Sequence, residues 1–113
     1  NKKMLTQVFV NLIRNAVEAV RKKGFGNEGI INISSKKIKN DFIVINIQDN
    51  GIGIPKEIQK ELFQFRFTTK KDGAGIGLHL SKMILGIHHG RISVGSKDGD
   101  GAVFSVYLPV HNS

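Results

Sequence analysis

The sequence predicts a two-layer α/β (α+β) sandwich, with a mixed, mostly antiparallel sheet covered on one face by about three helices. Three observations lead there. A chain of 113 residues suits a single compact domain. Its hydrophobic residues, 40% of the total, are enough for a core and exclude a wholly disordered chain. Its elements follow the order α-β-β-α-α-β-β, and two hairpins with helices between them are packed most simply when the helices share one face of the sheet.

Each element has a local cause. Between about Lys3 and Lys23, the residues Leu5, Val8, Phe9, Leu12, Ala16, Ala19 and Val20 recur at three- and four-residue steps, giving a helix one apolar stripe. Gly24, Gly26 and Gly29, with Asn27 among them, end that pattern. Ile30 to Ile33 and Phe42 to Ile47 are rich in β-branched residues and form two strands, joined by a turn at Lys39-Asn40-Asp41. A glycine-rich loop runs from Asp49 to Pro55, and Pro55 suits the first turn of a short helix reaching about Leu62. Phe63 to Gly75 has no clean period and ends in spaced glycines; a helix follows from about Gly77 to His88. Arg91 to Ser96 and Ala102 to Leu108 form a closing hairpin, with Asp98-Gly99-Asp100-Gly101 as its turn. The domain is expected to occupy residues 1–110, with 111–113 as a tail, and the abrupt start inside a helix reads as that of a fragment of a longer chain.

Composition narrows the function. With no Cys there is no disulfide framework and no thiolate nucleophile or metal ligand. No apolar stretch approaches the roughly 18 residues needed to span a bilayer, and no signal-peptide pattern opens the chain, so a soluble domain in a reducing compartment is the default expectation. The formal charge of +8 points to an anionic partner, and nucleic acid, acidic lipid and nucleotide phosphate all qualify. One Tyr, no Trp and no run of five basic residues leave little for base stacking, so a basic nucleic-acid-binding module is the weaker alternative.

Four constellations carry chemistry. On the first helix, Gln7, Asn11, Asn15, Glu18 and Lys22 share a polar face. Solvation would account for it, and so would amide oxygens suited to a Mg²⁺ that also holds phosphates. Asp49-Asn50-Gly51-Ile52-Gly53-Ile54 follows a buried-looking strand. It reads either as an ordinary turn or as a carboxylate able to accept a hydrogen bond from an exocyclic amine such as adenine N6, with glycines that admit a flat ligand. A solvated turn would not select the apolar Ile52 and Ile54. Gly73-Ala74-Gly75-Ile76-Gly77 opens a helix and is either a hinge or an anion cradle of exposed amides. It is neither the dinucleotide fingerprint nor a Walker A loop. Upstream, Thr68, Thr69, Lys70 and Lys71 fit phosphate contacts. Gly99 to Phe104, alone, is a turn and a core strand.

Taken in order, these parts resemble the ATP-binding domain of sensor histidine kinases, in the GHKL superfamily shared with type II topoisomerases, heat-shock chaperone ATPases and mismatch-repair ATPases. Asn11-Leu12-Ile13-Arg14-Asn15-Ala16-Val17-Glu18-Ala19 is similar to the N box, Asp49 to Ile54 to the G1 box and Phe63 to Phe67 to the F box. Gly73 to Leu78 is similar to the G2 box and Gly99 to Phe104 to the G3 element. The resemblance covers nearly the whole chain and implies the Bergerat fold, which binds ATP·Mg²⁺ under a mobile lid.

The resemblance also implies roles. Asn15 would ligate Mg²⁺ with Asn11 as a second polar contact, and Asp49 would read the adenine amine where Gly51, Gly53 and Ile54 line the ring. Thr68, Thr69, Lys70 and Lys71 would meet the phosphates, which Gly73, Gly75, Ile76, Gly77 and Leu78 would cradle. Asn11, Asn15 and Lys70 are the expected catalytic residues. In hydrolysing relatives a Glu stands four residues before the second N-box Asn, where this chain has Asn11. An amide cannot take a proton at neutral pH, so water attack should be slow and the γ-phosphoryl group should await a histidine on a separate helical-hairpin domain. His79 (expected to solvate the helix face), His88 and His89 (expected to cap it) and the tail residue His111 lack the acceptor motif.

Three departures stand out. Phe63-Gln64-Phe65-Arg66-Phe67 lacks the proline frequent in the F box, which leaves the lid entry less rigid and Arg66 free to meet phosphate. Ala102 and Val103 offer no hydroxyl to support Asp49, so a water or backbone group must substitute. Glu18 replaces a Lys of some relatives and, with Phe67-Thr68-Thr69-Lys70, marks the Asn-Ala-x-Glu-Ala and Phe-Thr-Thr-Lys subgroup. The implied partners are the phosphoacceptor domain of the same parent and a downstream response regulator, with neither nucleic acid nor direct membrane contact. The parent is expected to be a homodimer, membrane-anchored in some members, with this domain cytoplasmic and monomeric by itself. The alternatives are a GHKL-type ATPase or an anti-sigma-type protein serine kinase.

Overall fold

Helix α1, Lys2–Lys23, is long because its apolar residues keep a helical period for six turns, ending where Gly24 adopts φ +79°. In the computed structural model, residues 2–24, 28–38, 41–63, 74–96 and 100–110 are described, residues 74–77 by their backbone alone. Strands β1 (Ile31–Ile38) and β2 (Phe42–Asp49) pair antiparallel along their full length. The sequence predicts β1 only as far as Ile33. The rest, Ser34-Ser35-Lys36-Lys37, carries no apolar signal because β1 is an edge strand exposed over most of its length, and its ladder is held by backbone bonds.

Helix α2 is a single turn, Lys56–Gln59, shorter than the expected run to Leu62. Helix α3 spans Ala74–Ile87, so it starts three residues before the predicted Gly77. Strands β3 (Arg91–Ser96) and β4 (Ala102–Pro109) complete a sheet of order β1-β2-β4-β3. Every pairing is antiparallel, which resolves the expected mixed sheet.

Helices α1 and α3 pack on each other, α1 against β2 and α3 against β3. Val8, Leu12 and Ala16 from α1 meet Ile47, Phe104 and Val106 from the sheet and Leu78, Ile84 and Leu85 from α3. The other sheet face is largely polar: Ser105 donates to Asn46 Oδ1 at 2.6 Å, and the Arg91 guanidinium lies 4.1 Å from the Tyr107 ring centroid. Functional groups are thereby left to the rim of the helical layer, where β2 and β3 end and β4 begins. No described helix is long and apolar enough to cross a membrane.

Candidate functional site

Asp49 is the last residue of β2 and is only 5% exposed. Its Oδ1 accepts the Gly51 N–H at 2.8 Å, and the backbone of Ala102, its register partner on β4, also bonds the carboxylate. Burial pushes the Asp49 pKa up from the ordinary carboxylate value, and these two backbone donors pull against the shift. The backbone of Ala102 therefore supplies the support that its missing hydroxyl cannot give.

The loop after Asp49 is fastened on both sides. Asn50 accepts from Ile30 N–H at 2.8 Å and donates to the Glu28 carbonyl at 3.1 Å, anchoring the start of β1. Ile52 N–H reaches the Ala19 carbonyl at 3.3 Å, so the loop lies against α1 one turn beyond Asn15. Gly51 is buried there against Ala19, which gives this glycine a packing role beside the expected one. Gly53, also buried, takes φ +74°, a conformation glycine adopts without strain. Ile54 is half-buried, and its N–H donates to Ser96 Oγ at 2.7 Å.

Asn11 and Asn15 are both half-buried on α1, one turn apart. Gln7 Nε2 donates to Asn11 Oδ1 at 3.2 Å, which fixes one orientation of that amide. Gly75, Ile76 and Gly77 lie in the first turn of α3 rather than ahead of it. Their amides are therefore among the four at the helix start that have no partner inside the helix, which suits anions. Leu78, by contrast, is 4% exposed and belongs to the core. Thr68, Thr69, Lys70, Lys71 and Gly73, with Phe65 and Arg66, lie outside the described residues.

His79 does more than solvate a helix face, since its Nδ1 is 3.0 Å from the Phe63 carbonyl. The Phe63 ring meets Phe104 edge to face, with centroids 6.3 Å apart. The structure also brings in Ser96 and Gln59, which had no expected role, and gives Ala19 of the apolar stripe a backbone bond to the loop. A serine ending a strand and a glutamine on a one-turn helix carry no spacing signal of their own. No cluster of three His, Cys, Asp or Glu able to hold a metal occurs among the described residues.

A buried carboxylate thus ends β2, the loop after it lies on the helix that carries the asparagine pair, and the helix packed on that one opens with amides that have no partner inside it. Residues 1–112 match the family profile of histidine kinase-, DNA gyrase B-, and HSP90-like ATPases. The chain belongs to that family. As an ATPase-type, ATP-binding domain, it is 41% identical over 94% of its length to the sensor histidine kinase ZraS of Salmonella typhimurium, and covers 22% of that protein. It is 39% identical over 98% of its length to the signal transduction histidine-protein kinase AtoS of Escherichia coli, covering 17% of it. The domain thus spans about a fifth of the length of these curated relatives. Among solved structures, it resembles the catalytic domain of the histidine kinase ThkA at 31% identity and TM-score 0.79, covering 96% of this chain and 68% of that one. The fold is also that of full-length ShkA in complex with AMPPNP, at TM-score 0.81 and 24% identity over 97% of this chain and 22% of that one.

Proposed function

We propose that this domain is the catalytic ATP-binding unit of a sensor histidine kinase. It binds Mg·ATP and donates the γ-phosphoryl group to a histidine on a separate helical-hairpin domain of the same parent, which then supplies a response regulator. The observation that carries this reading is the Asp49 carboxylate, buried to 5% exposure and held by the Gly51 N–H of the glycine loop and by the backbone of Ala102. A carboxylate is worth burying there when a ligand amine donates to it.

The asparagine side chains fit a hard cation, because an amide oxygen suits Mg²⁺ held mainly by phosphate oxygens and water. Asn15 would hold it with Asn11 alongside, and the ion would neutralise charge on the triphosphate. The chain's own residues do the rest. Asp49 orients the base, the amides of Gly75, Ile76 and Gly77 hold the phosphates, and Thr68, Thr69, Lys70 and Lys71 approach the same phosphates. The bond from the γ-phosphorus to the β,γ-bridging oxygen breaks as a bond to an imidazole nitrogen of the acceptor forms, and ADP leaves with the electron pair. Positioning and charge neutralisation account for catalysis of such a transfer.

Asn11 favours transfer to a histidine over hydrolysis, because its amide is held by Gln7 and cannot accept a proton from water. The parent would act as a homodimer, anchored in the membrane in some members, and keep this domain in the cytoplasm. Titrating Mg·ATP into the wild type, Asp49→Asn and Asn15→Ala tests the site. Asp49→Asn should weaken ATP by about tenfold or more, and Asn15→Ala should remove the Mg²⁺-dependent part of the affinity. Labelled ATP with a cognate hairpin domain should yield acid-labile phosphate on that domain. Unchanged affinity in both variants would remove the site, and steady hydrolysis abolished by Asn11→Ala would favour an ATPase.

A further inference from the structure

Three chain segments meet beside Asp49, where Ala102 is the register partner of both Asp49 and Ser96, and one hydroxyl joins them. Ser96, the last residue of β3, is half-buried. Its Oγ donates to the Gly101 carbonyl at 2.6 Å and accepts the Ile54 N–H at 2.7 Å. Gln59, on α2, donates from Nε2 to the Ile54 carbonyl at 2.7 Å and to the Ser96 carbonyl at 3.1 Å. The four bonds tie the end of β3, the entry to β4 and the loop leaving β2 into one clasp.

The clasp encloses Asp49 without touching its carboxylate. Ile54 ends the loop whose Gly51 N–H holds Asp49 Oδ1. Gly101 precedes Ala102, the other backbone support of the carboxylate, and is buried with φ +83°. A Cβ at Gly101 would collide with the Asp49 carbonyl oxygen, so this turn sits directly on the Asp49 backbone. Both groups that orient the carboxylate therefore stand on segments whose separation the Ser96 hydroxyl sets.

We infer that Ser96, assisted by Gln59, is a positioning residue for base recognition, acting through the two backbone segments that hold Asp49. The inference rests on the adenine-binding reading proposed above. Removing the hydroxyl leaves the Ile54 N–H and the Gly101 carbonyl without their shared partner, and the loop and the turn are then free to separate. The carboxylate loses its fixed aim, while the asparagines of α1 and the first turn of α3 keep theirs. The defect therefore falls on the base and not on the phosphates.

The test compares affinity for Mg·ATP with affinity for the triphosphate of purine riboside, which lacks the exocyclic amine, in the 113-residue chain. The wild type should prefer ATP by about tenfold or more, the fold-change expected of one hydrogen bond to a charged group. Ser96→Ala should cut that preference at least threefold (about half of it on a logarithmic scale), and Ser96→Thr, which keeps a hydroxyl, should restore it. Gln59→Ala should reduce it in the same direction, and provides the measurement should Ser96→Ala fail to fold. Equal weakening of both nucleotides with the preference intact would overturn the inference and leave Ser96 a purely structural residue. A wild type that binds ATP without any preference for it would overturn the adenine reading and this inference together.

Discussion

Ala19 fills the space that a side chain on Gly51 would need. A Cβ placed on Gly51 would stand 2.5 Å from the carbonyl carbon of Ala19 and 2.7 Å from its Cβ. Contact this close lets the Ile52 N–H reach the Ala19 carbonyl, and it holds the loop that follows Asp49 against the helix that carries Asn11 and Asn15. The glycine thus sets how closely the loop after Asp49 approaches α1.

Gly51→Ala forces the loop away from α1, because backbone rather than a flexible side-chain end stands in the way. Overpacking of this kind costs about 1–3 kcal/mol. We expect a lower thermal midpoint together with a loss of ATP affinity. Urea unfolding and an ATP titration of the same variant check both, and an unchanged midpoint would refute the packing role.

Asp49 gives the domain a pH signature. Its folded pKa lies above the unfolded value, so the folded empty chain binds the proton more tightly than the unfolded chain does. The contribution of Asp49 to stability is therefore fullest below the ordinary carboxylate value of 3.8 and is lost as pH rises through the raised folded value. Measured against Asp49→Asn, wild-type stability should fall across that window and level off above it. Affinity for ATP should run the other way. The base amine needs an ionised acceptor, so binding strengthens as pH rises through the same window, with proton release detectable in calorimetry using buffers of different ionisation heat.

Much of this fold is legible in the sequence, because its amphipathic elements are periodic. Val8, Leu12 and Ala16 at four-residue steps define α1, and β3 and β4 follow from short runs bounded by turn residues. Asp49, the asparagine pair and the glycines of the first α3 turn stand out by spacing. The half of β1 beyond Ile33 does not, since an edge strand needs no buried side chains. Ser96 and Gln59 are hidden for another reason. Their bonds go to backbone groups 5 to 42 residues away, and a contact with backbone leaves no mark on the partner's residue type.

His89 ends α3 at a stated cost. It takes φ +62°, while its N–H bonds the Gly86 carbonyl at 3.0 Å and Gly90 N–H bonds the Leu85 carbonyl at 2.7 Å. That paired closure of a helix favours glycine at the left-handed position, where a Cβ is strained. Gly90 cannot trade places with it, since a Cβ there would strike the Tyr107 carbonyl. The cap that matches His88 to the Ile84 carbonyl at 2.8 Å is independent of His89. His89→Gly should stabilise the domain by about 1 kcal/mol, read as a higher urea midpoint at unchanged slope.

Ser81 is 0% exposed on the inner side of α3, and its hydroxyl has no hydrogen-bond partner among the described residues. A buried hydroxyl in that position forfeits its hydration with nothing in return. Alanine removes the unpaired oxygen and is also the better helix former. The void left by one oxygen atom is small beside these gains. Ser81→Ala should therefore raise stability by about 1 kcal/mol, with ATP affinity unchanged, because Ser81 sits among Leu78, Ile84 and Leu85 in the sequence of α3 and away from its first turn. Urea unfolding reads the change, and a destabilised Ser81→Ala would refute the unpaired hydroxyl as a cost to the fold.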